Sequence, residues 1–324
     1  MSAEVEIPVT WMRYDVTMPL MDGRVTIDGV KLVPSHSAPP ATIIGPDSPI
    51  PRGDFGMVDM NMGSWLPAIE AGWEIAPLPV FPKRKHVYTY LFCRADAGID
   101  APRDLEGKRV MSPVNGSSVA IWLKALLAHR HGVDLARITW VDNRAQWPRH
   151  HPDWTVEQLP VRKNAVDALL DGDVDATMMD ISDRQLWQTL ETHPKIKRLF
   201  PDYLGEARRF FDESGIYAPV HMMVLSKKID RDYPELAGKL CAAFEQARRI
   251  AMDDVLDDRA GFSLVDLREQ TLGQLESWGG DLFPHGITPN KTAVDAFAAH
   301  CHEHGIVERV HPYEEVFAAS TLNT

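Results

Sequence analysis

The sequence predicts an α/β protein folded as a two-lobed clamshell, with a ligand cleft between the lobes. Three observations carry this. From Glu6 to Leu225, short apolar strand-like runs alternate with helical segments, the pattern of mainly parallel sheets. The stretch Asp104–Leu127 is one complete strand–loop–helix unit. Val87–Cys93 and Ile216–Leu225 look like two strands crossing between units. The expected division is residues 1–91 for the start of the first lobe and 92–214 for the second, with 215–324 returning to the first and adding C-terminal helices.

In chain order, Glu6–Tyr14 alternates as a first strand, and Val25–Val33 is a second, interrupted at Asp28-Gly29. Pro34–Gly53 is rich in proline, serine and glycine and reads as a loop. Phe55–Met60 is a short apolar strand that turns through Met62-Gly63-Ser64-Trp65 into a helix stopped by Gly72. Ile75–Val80 and Val87–Cys93 are further strands, the second rich in valine, tyrosine and phenylalanine. Lys108–Met111 is a strand, Ser112–Gly116 its turn, and Ser117 or Ser118 caps a helix beginning near Val119. The free backbone N–H groups and positive dipole of that helix end suit a carboxylate or phosphate, although an ordinary serine-capped turn fits the residues as well. Strands at Ile138–Val141, Val174–Asp180, Lys197–Phe200 and Ile216–Leu225 follow, with a polar loop at Asn143–Trp154 and a long amphipathic helix at Pro234–Leu256.

The totals exclude several classes. Of 324 residues, 44% are hydrophobic and 25% charged, as in ordinary globular proteins. A net charge of −12 argues against a nucleic-acid partner. No apolar run approaches the ~20 residues of a membrane helix, so no membrane partner is expected. Three scattered cysteines give neither a disulfide framework nor a zinc motif. With no basic start or apolar core at the N-terminus, the expected location is cytoplasmic. Oligomeric state is not legible, and a homo-oligomer is allowed.

Five blocks resemble a known family: Tyr14-Asp15-x-Thr17-x-Pro19-Leu20-x-Asp22-Gly23-Arg24-Val25, Pro79-Val80-Phe81-Pro82-x-Arg84-x-His86, Asp104-Leu105-x-Gly107-Lys108-Arg109-Val110, Leu170-x-Gly172-x-Val174-Asp175-Ala176 and Gly215-Ile216-x-x-Pro219-Val220-His221. Together they resemble the 4,5-dihydroxyphthalate decarboxylases. That resemblance implies a fold like the type II periplasmic binding proteins, a small aromatic carboxylate substrate and a carboxy-lyase activity. The pattern is broken at Lys124, where relatives tend to carry arginine, at His285, where they tend to carry tyrosine, and in the loop 115–118. A lysine lacks the bidentate fork that arginine offers a carboxylate.

Decarboxylating a hydroxylated benzoate needs a proton delivered to the carbon that bears the carboxylate. A ring hydroxyl supplies the electrons, so no organic cofactor is required, and a divalent ion chelated by adjacent hydroxyls stays compatible with the chemistry. Histidine is the natural acid. His221 and His86, both inside resemblance blocks, are the candidate catalytic histidines, against the plainer reading of buried structural histidines. Asp180, ending a strand, either assists them at a ring hydroxyl or caps the surface. Candidate substrate-binding residues are Arg13 as a carboxylate clamp or a surface ion pair with Asp15 or Glu6, Ser64 and Trp65 as a hydroxyl and a stacking ring or as core, Asn115, Ser117 and Ser118 at the helix end, and His285 from its loop. His300-Cys301-His302-Glu303-His304 has the look of a metal cluster, and His129-Arg130-His131-Gly132 is a similar helix end. Histidines in a last helical turn also suit the helix dipole, and no metal site is assigned. The other function open to this sequence is a transporter-type solute-binding protein for an aromatic or dicarboxylate ligand.

Overall fold

The computed structural model describes residues 4–10, 13–34, 48–112, 116–142, 147, 149–161, 163–178, 183–257 and 262–324. The strands are β1 (Val5–Thr10), β2 (Val30–Pro34), β3 (Met57–Asn61), β4 (Ile75–Pro77), β5 (Lys83–Arg84), β6 (Leu91–Arg94), β7 (Arg109–Met111), β8 (Thr139–Asp142), β9 (Thr155–Gln158), β10 (Ala176–Met178), β11 (Ile196–Arg198) and β12 (Pro219–Ser226). They form two six-stranded sheets. The first has the order β2-β1-β3-β12-β4 with β5 also on β12, and the second the order β11-β6-β10-β7-β8-β9. This is the mixed α/β, two-lobed fold of the type II periplasmic binding proteins. The chain leaves the first sheet after β5 and re-enters it with β12, the only strand of that sheet drawn from beyond residue 91 among the described residues.

β12 is the strand around which the first sheet is built. All eight of its residues are buried, and it runs antiparallel to β3, β4 and β5. One face of β3 and β12 (Met57, Met223, Leu225) packs in a core with the helix Leu236–Leu256. The other (Val58, Met60, Met222, Val224) joins a larger core that runs into the second sheet through Trp122 and Trp140. The helix Ser118–His131 is buried continuously from Ser118 to Leu127. Such a helix is interior, not a surface helix with one wet face.

Several sequence expectations shift. Val87–Tyr90 is a helical turn and only Leu91–Arg94 is strand, because Tyr88 turns inward to pack on Phe200 and His131. The strand at Ile75 stops at Pro77, where Pro77 and Pro79 remove donors. The strand after Gly172 is Ala176–Met178, and Asp180 lies outside the described residues, as does Asn115. β5 and β9 were not expected. Both are short sheet-edge strands with too little apolar alternation to stand out. The amphipathic helices Arg184–Thr192 and Tyr203–Ser214 were also not expected. No helix among the described residues is long and apolar enough to cross a membrane. Cys93, Cys241 and Cys301 are buried and unpaired.

The two sheets meet where β3 ends. Asn61 Oδ1 accepts from Gly63 N–H in its own turn and from Ser118 N–H across the seam, both at 2.9 Å. Ser118 Oγ and Trp122 Nε1 donate to the carbonyls of Val220 and Pro219 at 2.8 and 3.0 Å. Gly63 is required by this approach, since a Cβ there would sit 2.7 Å from both Gly116 C and Ser117 N. Gly63→Ala should therefore destabilise by about 1–3 kcal/mol, read as a lower urea midpoint. An unchanged or higher midpoint would show that the seam yields freely.

Candidate active site

Register places the polar residues of the first sheet. His221 pairs with Asn61 and Met223 with Asp59, so Asp59, Asn61 and His221 share one face at the carboxyl end of β3. β1 runs parallel beside β3, and Tyr14 follows its end. Three side chains converge there. Tyr14 OH donates to Asp59 Oδ2 at 2.6 Å, and Asp59 Oδ1 lies 2.8 Å from His221 Nδ1. The Asp59 side chain is fully buried and that of His221 is 9% exposed. A buried carboxylate fixes the ring tautomer: Nδ1 keeps a proton for Asp59, and Nε2 makes no hydrogen bond among the described residues. Neutral, this ring presents a basic Nε2. Protonated, it presents an Nε2–H backed by a compensating charge. That is the arrangement of a histidine that gives and takes one proton.

Two candidate anion-binding groups belong to neighbouring segments. Arg13, adjacent to Tyr14, is exposed and has no ion pair among the described residues; Glu6, one partner considered for it, pairs with Lys31 instead. Across the seam is the N-terminus of Ser118–His131. Ser117 is its cap, half-buried, with Oγ accepting from Ala120 N–H at 3.4 Å.

Comparison with known proteins then separates fold from activity. A protein named 4,5-dihydroxyphthalate decarboxylase from Comamonas testosteroni is 26% identical over 333 residues, covering 99% of each chain. The resemblance to the 4,5-dihydroxyphthalate decarboxylases holds over the full chain. Residues 83–147 match the NMT1/THI5 like family. The periplasmic aliphatic sulphonate binding protein SsuA of Escherichia coli superposes with a TM-score of 0.54 at 14% identity, over 98% of this chain and 92% of its own. A solved desulfurization enzyme, DSZB, superposes at 0.51 and 15% identity over 98% of each. One fold thus carries a solute receptor and an enzyme, so side chains, not architecture, must separate the two functions.

The decarboxylase resemblance draws attention to residues that the structure distributes differently. His86 does not join His221. It packs between Tyr217 and Trp278, with ring centroids 5.0 and 5.6 Å away, and its Nδ1 is buried with no hydrogen-bond partner among the described residues. Burial holds it below the usual histidine range. Trp65 cannot stack on a ligand: it is 1% exposed, packs on Phe317 and donates to the Val316 carbonyl at 3.1 Å. Ser64 is also fully buried and accepts from Trp147 Nε1 at 3.5 Å. Ser118 is corrected from anion ligand to seam, since its N–H and hydroxyl donate to Asn61 and Val220. Lys124, singled out by the resemblance, is fully buried with Nζ 4.7 Å from the Trp140 ring centroid and 5.4 Å from that of Trp154; burial pushes its ammonium down to about 7.

His285 is a core residue beside Phe244, not a site loop. Its Nδ1 accepts from Phe81 N–H at 3.3 Å, and Nε2 is buried without a partner. Burial, with the nearby Arg84 charge, pushes it down to about 3. The native state therefore stays neutral where the unfolded chain takes up a proton, so stability is lost as pH falls from ~6.5 towards that value. Between pH 7 and pH 5 this one residue should cost about 2 kcal/mol of unfolding free energy. Urea titrations at the two pH values check it: His285→Gln should show a smaller loss, and an equal loss would assign the acid sensitivity elsewhere.

Sequence reasoning singled out His221 but not the residues that it contacts. Tyr14 sat unread inside a resemblance block. Asp59 was visible as a carboxylate in the otherwise apolar run Gly56-Met57-Val58-Asp59-Met60, and a buried charge demands a partner.

Proposed function

We propose that this chain is a decarboxylase of a hydroxylated aromatic carboxylate of the 4,5-dihydroxyphthalate type, working without an organic cofactor in the cytoplasm. The observation that carries the reading is the Tyr14–Asp59–His221 chain, whose Nε2 makes no hydrogen bond among the described residues. Full-length similarity to a named decarboxylase supports it. Arg13 and the Ser117 hydroxyl hold carboxylate oxygens of the substrate. The His221 imidazolium keeps its Nδ1–H on Asp59 and passes the Nε2 proton to the ring carbon bearing the reacting carboxylate. The electron pair for that new C–H bond comes from a phenolate oxygen ortho or para to it, through the ring, whose aromaticity is lost. The C–CO2 bond then breaks, its pair returns to the ring, and CO2 leaves. Neutral His221 regains its proton from solvent. Asp180 assists at a ring hydroxyl in this reading.

The test is incubation with a panel of hydroxylated benzoates and phthalates, following CO2. Release from one or more members is expected. Tight binding of a member without CO2 release would favour a solute-binding protein instead.

A further inference from the structure

Two helix ends that are far apart in sequence meet in the fold. His129 lies in the last turn of Ser118–His131, and His300 and Glu303 lie in the last turn of Lys291–Glu303. His129 Nε2 is 2.8 Å from Glu303 Oε2, and His300 Nδ1 is 3.5 Å from the same oxygen. One ligand atom from each of the three side chains lies within 4.8 Å of the others. Ligands around a tetrahedral zinc ion are ~3.4 Å apart, given metal–ligand bonds of about 2.0–2.2 Å. The three groups thus span an ion after only small side-chain adjustments.

The His300 ring is already oriented. It stacks on His129 at 5.4 Å and on His304 at 6.2 Å, and meets Trp122 edge-on at 5.7 Å. Its Nδ1 is buried without a hydrogen-bond partner among the described residues, with Glu303 Oε2 3.5 Å away. A buried ring nitrogen 3.5 Å from a carboxylate oxygen, with a second imidazole 2.8 Å from that same oxygen, is a donor set and not merely a pair of helix-end histidines. His129 and Glu303 are about half exposed, which leaves solvent room for a fourth ligand.

We propose that His129, His300 and Glu303 bind a divalent first-row metal ion of the zinc type, as a clip between the two helices. Two imidazoles and a carboxylate suit Zn2+ and exclude Ca2+ or Mg2+, which want an all-oxygen shell. The clip joins the central helix of the second sheet to the C-terminal helices that follow the return through β12. His129 is eleven residues beyond Ser118, ~16 Å along the helix from the end that contacts Asn61 and Val220. The ion is therefore structural and outside the proposed reaction.

The test is calorimetric titration of tag-free protein with Zn2+, with thermal melting in parallel. One equivalent should bind and raise the melting temperature. His129→Ala and Glu303→Gln, both at exposed positions and so expected to fold, should each weaken binding ~10–100-fold and abolish the melting shift. The double substitution His150→Ala/His151→Ala, which removes other accessible imidazoles, should leave both unchanged. Absence of stoichiometric binding, or wild-type affinity in His129→Ala and Glu303→Gln, would overturn the site, as would a loss in the His150/His151 control as large as in the ligand variants.

Discussion

His221→Gln should lower turnover of a hydroxylated phthalate by ~10²–10⁴, the usual loss on removing a positioned proton donor, while leaving substrate affinity nearly unchanged. Glutamine is close to histidine in size and can still bond Asp59, so the 2.8 Å contact has a replacement and β12 keeps its packing. What glutamine lacks is a ring nitrogen that can carry a transferable proton. The loss should fall on kcat, with KM within a few-fold, since the carboxylate contacts are assigned to Arg13 and Ser117. Arg13→Ala should show the opposite split. Single-turnover CO2 release, combined with equilibrium binding to each variant, separates the two; a His221→Gln variant that binds weakly but turns over normally would make His221 a binding residue.

Asp59→Asn is expected to cost nearly as much. The carboxylate holds Nδ1–H and balances the charge of the imidazolium; an amide offers no charge and can turn its NH2 towards the ring, reversing the tautomer. We expect a loss of ~10²–10⁴ in kcat. Tyr14→Phe, which removes only the 2.6 Å bond to the far carboxylate oxygen, should cost less. If Asp59→Asn unfolds the protein but its soluble fraction is fully active, Asp59 is a structural ion and not an orienting one.

These expectations rest on a site that was only half legible in the sequence. The α/β fold could be read because strands such as β12 are continuous apolar runs and helices such as Leu236–Leu256 carry a periodic face. β5 and β9 could not, because edge strands need little apolar patterning. His221 was visible through its neighbouring residues, but its value as a catalyst depends on Asp59, 162 positions away, and register, not local pattern, sets that contact. Trp65 misled for a similar reason. At a strand-to-helix turn it looked free to stack, yet the C-terminal segment around Val316 and Phe317 covers it. The His129–Glu303 pairing spans 174 positions, so neither helix end alone revealed the other.

The claim that His221 delivers the proton is tested most directly by chemical rescue. His221→Gly removes the ring and leaves a recess beside Asp59 into which free imidazole can diffuse. CO2 release from the preferred substrate is measured in this variant with increasing imidazole. The account predicts a rate at least about a hundredfold below wild type without imidazole and a saturable recovery with it. A His221→Gly variant that releases CO2 at the wild-type rate with no imidazole present would contradict the account.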